Sequence, residues 1–345
     1  MYMFDKSIFN IEELCSPSKP SEGARAPAGI VSVMEKYFRG NEVRILEIGV
    51  FKAGLTKLFA SSSLNIISYD GVDPYLGSDA DPYTGAYWDS PSDADKIYLS
   101  AKKYYDSKGY SLHRMTSAEY FDLAYKSKEY DIIYVDGDHR MYYAMQDMEE
   151  YIHLLAENGI MLVDDYGNVD TPEVTHALNR FIDNRRDVIK EIGYYISLFQ
   201  NVGKYIPVSQ TTVYFTADKG RLNSGFVSKR YNVSEALKKL VNEDRIKRIA
   251  LFGAGRHTEW MCEVFGRLKK PHITAVLDDY PDKTKIFWGH APMKASEWDT
   301  TQADAIILSS DCKQEMMRER CRELFGDALP LIDLYEGLPA GPFPK

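Results

Sequence analysis

Between residues 44 and 184, short apolar runs alternate with amphipathic stretches, and this alternation restricts the fold more than any other feature of the chain. The apolar runs are Arg44–Ile48, Ile66–Val72, Tyr110–Arg114, Asp131–Val135 and Gly159–Val163. Each has the length of a buried strand. The amphipathic stretches are Ala53–Ser62, Asp93–Asp106, Ser117–Tyr125, Met141–Leu155 and Pro172–Asn184, which carry helical spacing. In Met141–Leu155 the residues Met141, Met145, Met148, Ile152 and Leu155 share one stripe, which reads as core. Strand–helix–strand repetition implies a parallel α/β sheet with right-handed crossovers. Two β-rich runs follow, Tyr194–Asn201 and Thr211–Thr216, and read as an antiparallel hairpin on the sheet edge.

The chain has 345 residues, enough for two ordinary domains. Residues 1–40 read as an arm and a cap helix (Ala28–Phe38), and 41–217 as the first α/β domain. Residues 218–245 read as a polar linker and helix, and 246–345 as a second, smaller α/β domain. The formal net charge of -9 leaves nothing to neutralise phosphates, which argues against a general partner among nucleic acids or anionic membranes. No apolar run approaches the roughly 20 residues a membrane helix needs. The opening Met1–Lys6 lacks the layout of a signal peptide. Cys15, Cys262, Cys312 and Cys321 form no CxxC pair, so a cytoplasmic chain with free thiols is expected.

Two acidic clusters follow neighbouring strands: Tyr134-Val135-Asp136-Gly137-Asp138-His139, and Leu162-Val163-Asp164-Asp165-Tyr166. Carboxylates at two strand ends suit a hard cation such as Mg²⁺, which prefers carboxylate oxygens and keeps waters that a substrate can replace. His139 lies one turn beyond Asp136 and can serve as a base near neutral pH. The rival reading is that Asp136 caps the helix after its strand and that Asp164-Asp165 is a solvated strand end. Asp138 reads as a turn residue. His113, His153 and His176 lie outside these clusters and read as surface or packing residues.

The first strand closes in Glu47-Ile48-Gly49-Val50-Phe51-Lys52-Ala53-Gly54 and opens a helix. Gly49 permits a tight turn and close approach of a ligand to the backbone. The next strand ends in Val72-Asp73-Pro74, and an acidic residue at this distance can accept from both ribose hydroxyls of an adenosine ligand. There is no GxxxxGK[ST] run to cradle ATP. On these motifs, together with Thr116-Ser117, YDIIYVDGDH and GIMLVDDY, residues 44–216 resemble class I S-adenosylmethionine-dependent methyltransferases. The likeness is greatest to the metal-dependent macrolide-sugar O-methyltransferases. Ala53 departs from the glycine often found there.

The resemblance implies a Rossmann-like methyltransferase sheet and a donor site of S-adenosyl-L-methionine. Glu47, Gly49, Val50, Phe51 and Gly54 would lie at its methionine and ribose end, and Asp73 on the ribose. Thr116 and Ser117 would lie near the adenine, with Asp136 on the cofactor side as well. It implies Mg²⁺ on Asp136, Asp164 and Asp165, with His139 as catalytic base. The expected acceptor is a hydroxyl of a sugar or similar small molecule, and a homo-oligomer is compatible with the sequence. A metal-independent N- or C-methyltransferase is the alternative within the class.

Residues 74–100 form a long insertion that reads as a substrate lid or a solvent-exposed loop. In the last hundred residues, Phe252-Gly253-Ala254-Gly255-Arg256-His257-Thr258 follows a strand, with Leu277-Asp278-Asp279 downstream. This fits a dinucleotide fingerprint in spacing, with Thr258 in place of the third small residue. Ala303–Ser310 reads as a further parallel strand. The domain therefore reads as a second Rossmann-like unit that either binds a nucleotide or serves packing. A nucleotide- or NAD(P)-binding protein working through Gly253 is the alternative from another class.

Overall fold

The computed structural model describes residues 28–76, 91–168, 170–199, 208–222, 226–242, 245–265 and 272–338. The expected arm at 1–27 and most of the expected lid lie outside these residues. The chain divides into two compact units, Met1–Leu222 and Asn223–Lys345.

The first unit is built on β1 (Glu42–Ile48), β2 (Asn65–Val72), β3 (Ser111–His113), β4 (Tyr130–Val135), β5 (Leu155–Tyr166), β6 (Ile189–Phe199) and β7 (Val208–Ala217). They form one sheet in the order β3-β2-β1-β4-β5-β7-β6. The first five strands run parallel, and β7 pairs antiparallel with both β5 and β6. The parallel sheet with an antiparallel edge hairpin is thus as the alternation implies. Strand β4 is buried from Ile132 to Val135, which is why its sequence is continuously apolar rather than alternating.

Helices α1 (Ala28–Tyr37), α2 (Gly54–Ala60), α3 (Pro91–Lys108), α4 (Ser117–Ala124), α5 (Met141–Tyr151) and α6 (Pro172–Asn184) complete the unit. Ile30 and Met34 of α1 share one core with Ile45, Phe59, Tyr69 and Tyr105. Burying each such side chain contributes roughly 1.5–3 kcal/mol relative to exposure. Phe181 of α6 packs on Phe215 of β7 with ring centroids 5.4 Å apart.

Several boundaries differ from the sequence reading, among them β6, which opens at Ile189 rather than Tyr194. The helix expected to run to Leu155 ends at Tyr151, and Ile152–Leu154 form a 3₁₀ turn. Leu155 then opens β5 opposite Tyr130. Met148, Ile152 and Leu155 are buried, but so are the polar Gln146, Asp147, Glu149 and Glu150. Helix α5 is therefore enclosed on more than its apolar stripe. The insertion placed at 74–100 is also shorter, because Pro91–Lys108 is the continuous helix α3.

The second unit has β8 (Arg248–Phe252), β9 (His272–Asp278), β10 (Met293–Lys294), β11 (Ala305–Leu308) and β12 (Leu331–Ile332). All are parallel, in the order β10-β9-β8-β11-β12. Helices α7 (Lys229–Asn242), α8 (Arg256–Phe265) and α9 (Gln314–Phe325) belong to it. The helix read as part of a linker is thus a member of this unit. No described helix is long and apolar enough to cross a membrane.

Candidate active site

The carboxyl ends of β1, β2, β4 and β5 converge on the site. After β1 the chain turns at Gly49, whose φ of 87° lies in the left-handed region. Gly49 N donates to Val72 O at 2.9 Å, and Asp136 N donates to Ile48 O at 2.9 Å. The turn therefore lies flat on both neighbouring strand ends. Phe51 (φ 48°) and Ala53 (φ 57°) are also left-handed, although neither is glycine. Such residues cost on the order of 1–3 kcal/mol each and concentrate at functional sites. Ala53 is fully buried, and its methyl packs in the core.

Asp73 follows β2 and is held by that turn. Its Oδ2 accepts from Phe51 N at 2.8 Å and its Oδ1 from Tyr75 N at 2.8 Å. The Tyr75 hydroxyl donates to Phe51 O at 3.0 Å and closes the loop. Burial raises the Asp73 pKa against the backbone N–H groups that stabilise its charge. Val50 N–H bonds this carboxylate as well, and with about four lone-pair sites it still keeps acceptor capacity.

Glu47 sits deeper, 2% exposed in the core. Its Oε2 accepts from the hydroxyls of Thr56 at 2.6 Å, Tyr69 at 2.6 Å and Tyr105 at 3.2 Å. Burial still dominates and pushes its pKa up to about 7. Thr116 caps α4 in a reciprocal capping box: Glu119 N donates to Thr116 Oγ1, and Thr116 N donates to Glu119 Oε2. Ser117 O accepts from the Tyr151 hydroxyl at 2.6 Å, which ties α4 to α5. Both residues thus have local duties that their sequence positions alone do not reveal.

The second acidic cluster is shaped by a bulge. Val163 pairs with Val213 and Tyr166 with Thr211, so Asp164 and Asp165 together face the single residue Thr212. Asp165 takes a left-handed φ of 60°. The two adjacent aspartates consequently part. Asp165 joins Asp136 and His139, and these three offer ligand atoms within 4.8 Å of one another. His139 Nε2 lies 3.0 Å from Asp165 Oδ2 and 3.7 Å from Asp136 Oδ1. Asp164, read from the sequence as a third ligand, is not one of these three. It is buried, and its Oδ1 accepts from the Thr212 hydroxyl at 2.9 Å. Tyr134 also bonds it, while burial and the charges of Asp136 and Asp165 push its pKa up to about 7.

The first cluster is fixed by its own turn. Asp138 Oδ1 accepts from Arg140 N at 2.9 Å, and its carboxylate pairs with the Arg140 guanidinium. Asp138 is therefore a turn residue. Glu173 of α6 accepts from Met141 N at 2.7 Å and so caps α5, which has no side-chain cap of its own. His113 pairs with Asp70, and His153 is buried with its pKa lowered to about 4 by desolvation. Thr212 and Tyr134 escaped the sequence reading. Thr212 comes from the far hairpin, and nothing local marks it as the partner of Asp164.

A buried carboxylate beside a strained glycine turn can hold a ribose, and an Asp–His–Asp trio can hold a hard cation or move a proton. Residues 46–166, which contain the turn, Asp73, the capped helix and both acidic clusters up to Tyr166, match the family model described as a methyltransferase domain. Solved structures show distant likeness. One is an rRNA methylase from Streptococcus thermophilus (9% identity, 56% of this chain and 98% of that chain, TM-score 0.38). Another is the O-methyltransferase TomG from Streptomyces achromogenes (14% identity, 56% of this chain and 81% of that chain, TM-score 0.35). A third is a spermidine synthase from Thermotoga maritima (13% identity, 56% of this chain and 60% of that chain, TM-score 0.37). Likenesses this distant carry no argument about substrate. No curated protein matches the chain. The chain carries an S-adenosylmethionine-dependent methyltransferase domain and is an enzyme of that class.

Proposed function

We propose that the first unit transfers a methyl group from S-adenosyl-L-methionine to a hydroxyl of a small molecule such as a sugar, with a divalent cation at Asp136 and Asp165. The observation that carries this reading is the Asp136–His139–Asp165 trio, one peptide away from the Gly49 turn.

The donor supplies an electrophilic methyl group on a sulfonium. Asp73 would orient it by accepting from the ribose hydroxyls, with Gly49, Val50, Phe51 and Gly54 lining the approach. Glu47 would act from beneath, since its carboxylate is taken up by three hydroxyls. Ser117 and Thr116 would face the adenine through the start of α4.

The donor set fits a hard cation: the carboxylates of Asp136 and Asp165, at 30% and 13% side-chain exposure, are two like charges that need compensation, and His139 beside them is left to act as base. A divalent cation bound there would lower the pKa of a coordinated hydroxyl. His139 would take the proton. Its Nε2 lies 3.0 Å from Asp165 Oδ2 and 3.7 Å from Asp136 Oδ1, so the imidazolium would be charge-compensated. A positioned base of this kind is typically worth about 10²–10⁴ in rate. Asp164 would serve beneath the trio as a charge held in place by Thr212 and Tyr134.

A second reading has one observation in its favour. The 3.0 Å His139–Asp165 pair is already a base with its counter-charge, which suits metal-free methyl transfer to a nitrogen or carbon acceptor. The test is a methyl-transfer assay against a panel of sugars, nucleotide sugars and amines, with and without EDTA. The proposal requires transfer to a hydroxyl that stops in chelator and returns with Mg²⁺. Full activity in excess chelator would replace it with the second reading.

A further inference from the structure

The second unit repeats, with different residues, the backbone frame that holds Asp73. Gly253 N donates to Leu277 O at 2.7 Å, as Gly49 N donates to Val72 O at 2.9 Å. Asp278 Oδ2 accepts from Ala254 N at 2.8 Å and Oδ1 from Tyr280 N at 2.9 Å. Asp73 is held by a comparable pair, from Tyr75 N and from Phe51 N, which stands two residues after Gly49 where Ala254 stands one after Gly253. In both units a carboxylate at the end of the second strand is fixed by the turn after the first. A carboxylate has about four lone-pair sites, so both keep acceptor capacity beyond the frame.

The surroundings of this second carboxylate are open on one side only. Gly255 is exposed, and no heavy atom lies within 4 Å of where its β-carbon would stand. It precedes α8, a helix of ten residues whose first member, Arg256, is also exposed. The other side of β8 is filled. Met317 Cε stands 2.6 Å from the β-carbon position of Gly253. His257 bonds Ser309 at 3.0 Å and Tyr335 at 2.7 Å, and Thr258 Oγ1 lies 2.7 Å from Ser309 Oγ. These side chains occupy the crevice between β8 and β11, where the strand order reverses and a dinucleotide would cross. The neighbouring Asp279 is engaged by Arg320 at 3.0 Å and 3.2 Å, so Asp278 is the member of the acidic pair that the turn holds.

We propose that the second unit binds a nucleoside 5′-phosphate, with Asp278 accepting from the ribose hydroxyls and the phosphate seated on the backbone at Gly255. The filled crevice restricts the ligand to one nucleotide. Recognition of ribose and phosphate leaves the base open, and Tyr280, 93% exposed beyond Asp279, supplies a ring for it to stack on.

The test is calorimetric titration of the full chain with ADP, in EDTA and in saturating S-adenosylhomocysteine. It is repeated in an Asp73→Asn chain, so that ribose binding in the first unit is not read. One ADP per chain is expected in both proteins. Asp278→Asn and the ligand 2′-deoxy-ADP should each weaken binding about tenfold or more, as loss of a hydrogen bond to a charged group does. Gly255→Asp, which meets no neighbouring atom, should abolish it. Absence of ADP binding at millimolar concentration would overturn the proposal. So would an affinity indifferent to Asp278→Asn and Gly255→Asp. Failure of S-adenosylhomocysteine to bind, with ADP bound as expected, would strike the first unit's reading and leave this one standing.

Discussion

A β-carbon placed on Gly49 would stand 1.8 Å from the backbone oxygen of Asp136. The turn that would hold the methyl donor and the strand end that starts the acidic trio therefore share one backbone contact. Neither can shift without the other, and this fixes the distance between donor and acceptor chemistry.

Gly49→Ala should accordingly destabilise the protein by roughly 2–5 kcal/mol, through overpacking and a left-handed alanine. Gly54→Ala is the control. It meets no atom within 4 Å and lies at the start of α2, so its stability should be unchanged or up to about 1 kcal/mol higher. Urea unfolding of both variants reads the contrast. Equal losses would show that the Gly49 contact is not tight.

Glu47 makes stability depend on pH. Its folded pKa of about 7 lies above the ordinary 4.5, so the folded chain keeps this proton longer than the unfolded one. Stability then falls as pH rises between those two values, because ionisation in the core is penalised. Glu47→Gln cannot ionise. Its stability relative to wild type should improve by about 3 kcal/mol between pH 4 and pH 8, at about 1.4 kcal/mol per pKa unit. A difference that stays flat across that range would refute the burial account of Glu47.

Thr212 is expected to matter more in alkali than in acid. Its hydroxyl donates to Asp164, whose pKa stands at about 7. Thr212→Val should cost about 1–3 kcal/mol at pH 8, where the buried carboxylate is charged, and less at pH 5. The same cost at both values would mean that the bulge does not aim Asp164 at Thr212.

Thr116 should behave as a cap. Because its side chain is committed to Glu119, Thr116→Ala should lower stability by about 1 kcal/mol and leave S-adenosylhomocysteine affinity within about twofold. A large loss of affinity without loss of stability would instead assign the hydroxyl to the donor.

The parallel sheet, the edge hairpin and the limits of α6 were all legible from apolar spacing and turn residues. The end of α5 was not. Leu155 continues the helical stripe of Met148 and Ile152, yet it pairs with Tyr130, and only the tertiary register decides between helix and strand there. The spacing of Asp136 and His139 placed both on one side of a turn, which the structure brings within reach. Asp164 and Asp165 are indistinguishable as sequence neighbours. The pairing with β7, remote in the chain, inserts the bulge that sends one to the trio and the other to Thr212. Likewise the Gly253–Asp278 spacing was readable, whereas Met317 over Gly253 is a contact between distant segments.

The central claim is that Asp136 and Asp165 hold a divalent cation beside the methyl donor, with His139 as the base next to it. Mn²⁺ binding to the S-adenosylhomocysteine-loaded protein, followed by electron paramagnetic resonance, tests it most directly. The account predicts one Mn²⁺ per chain, lost in Asp136→Asn and Asp165→Asn and kept in Asp164→Asn. No stoichiometric Mn²⁺, or a site that survives loss of both Asp136 and Asp165, would contradict it.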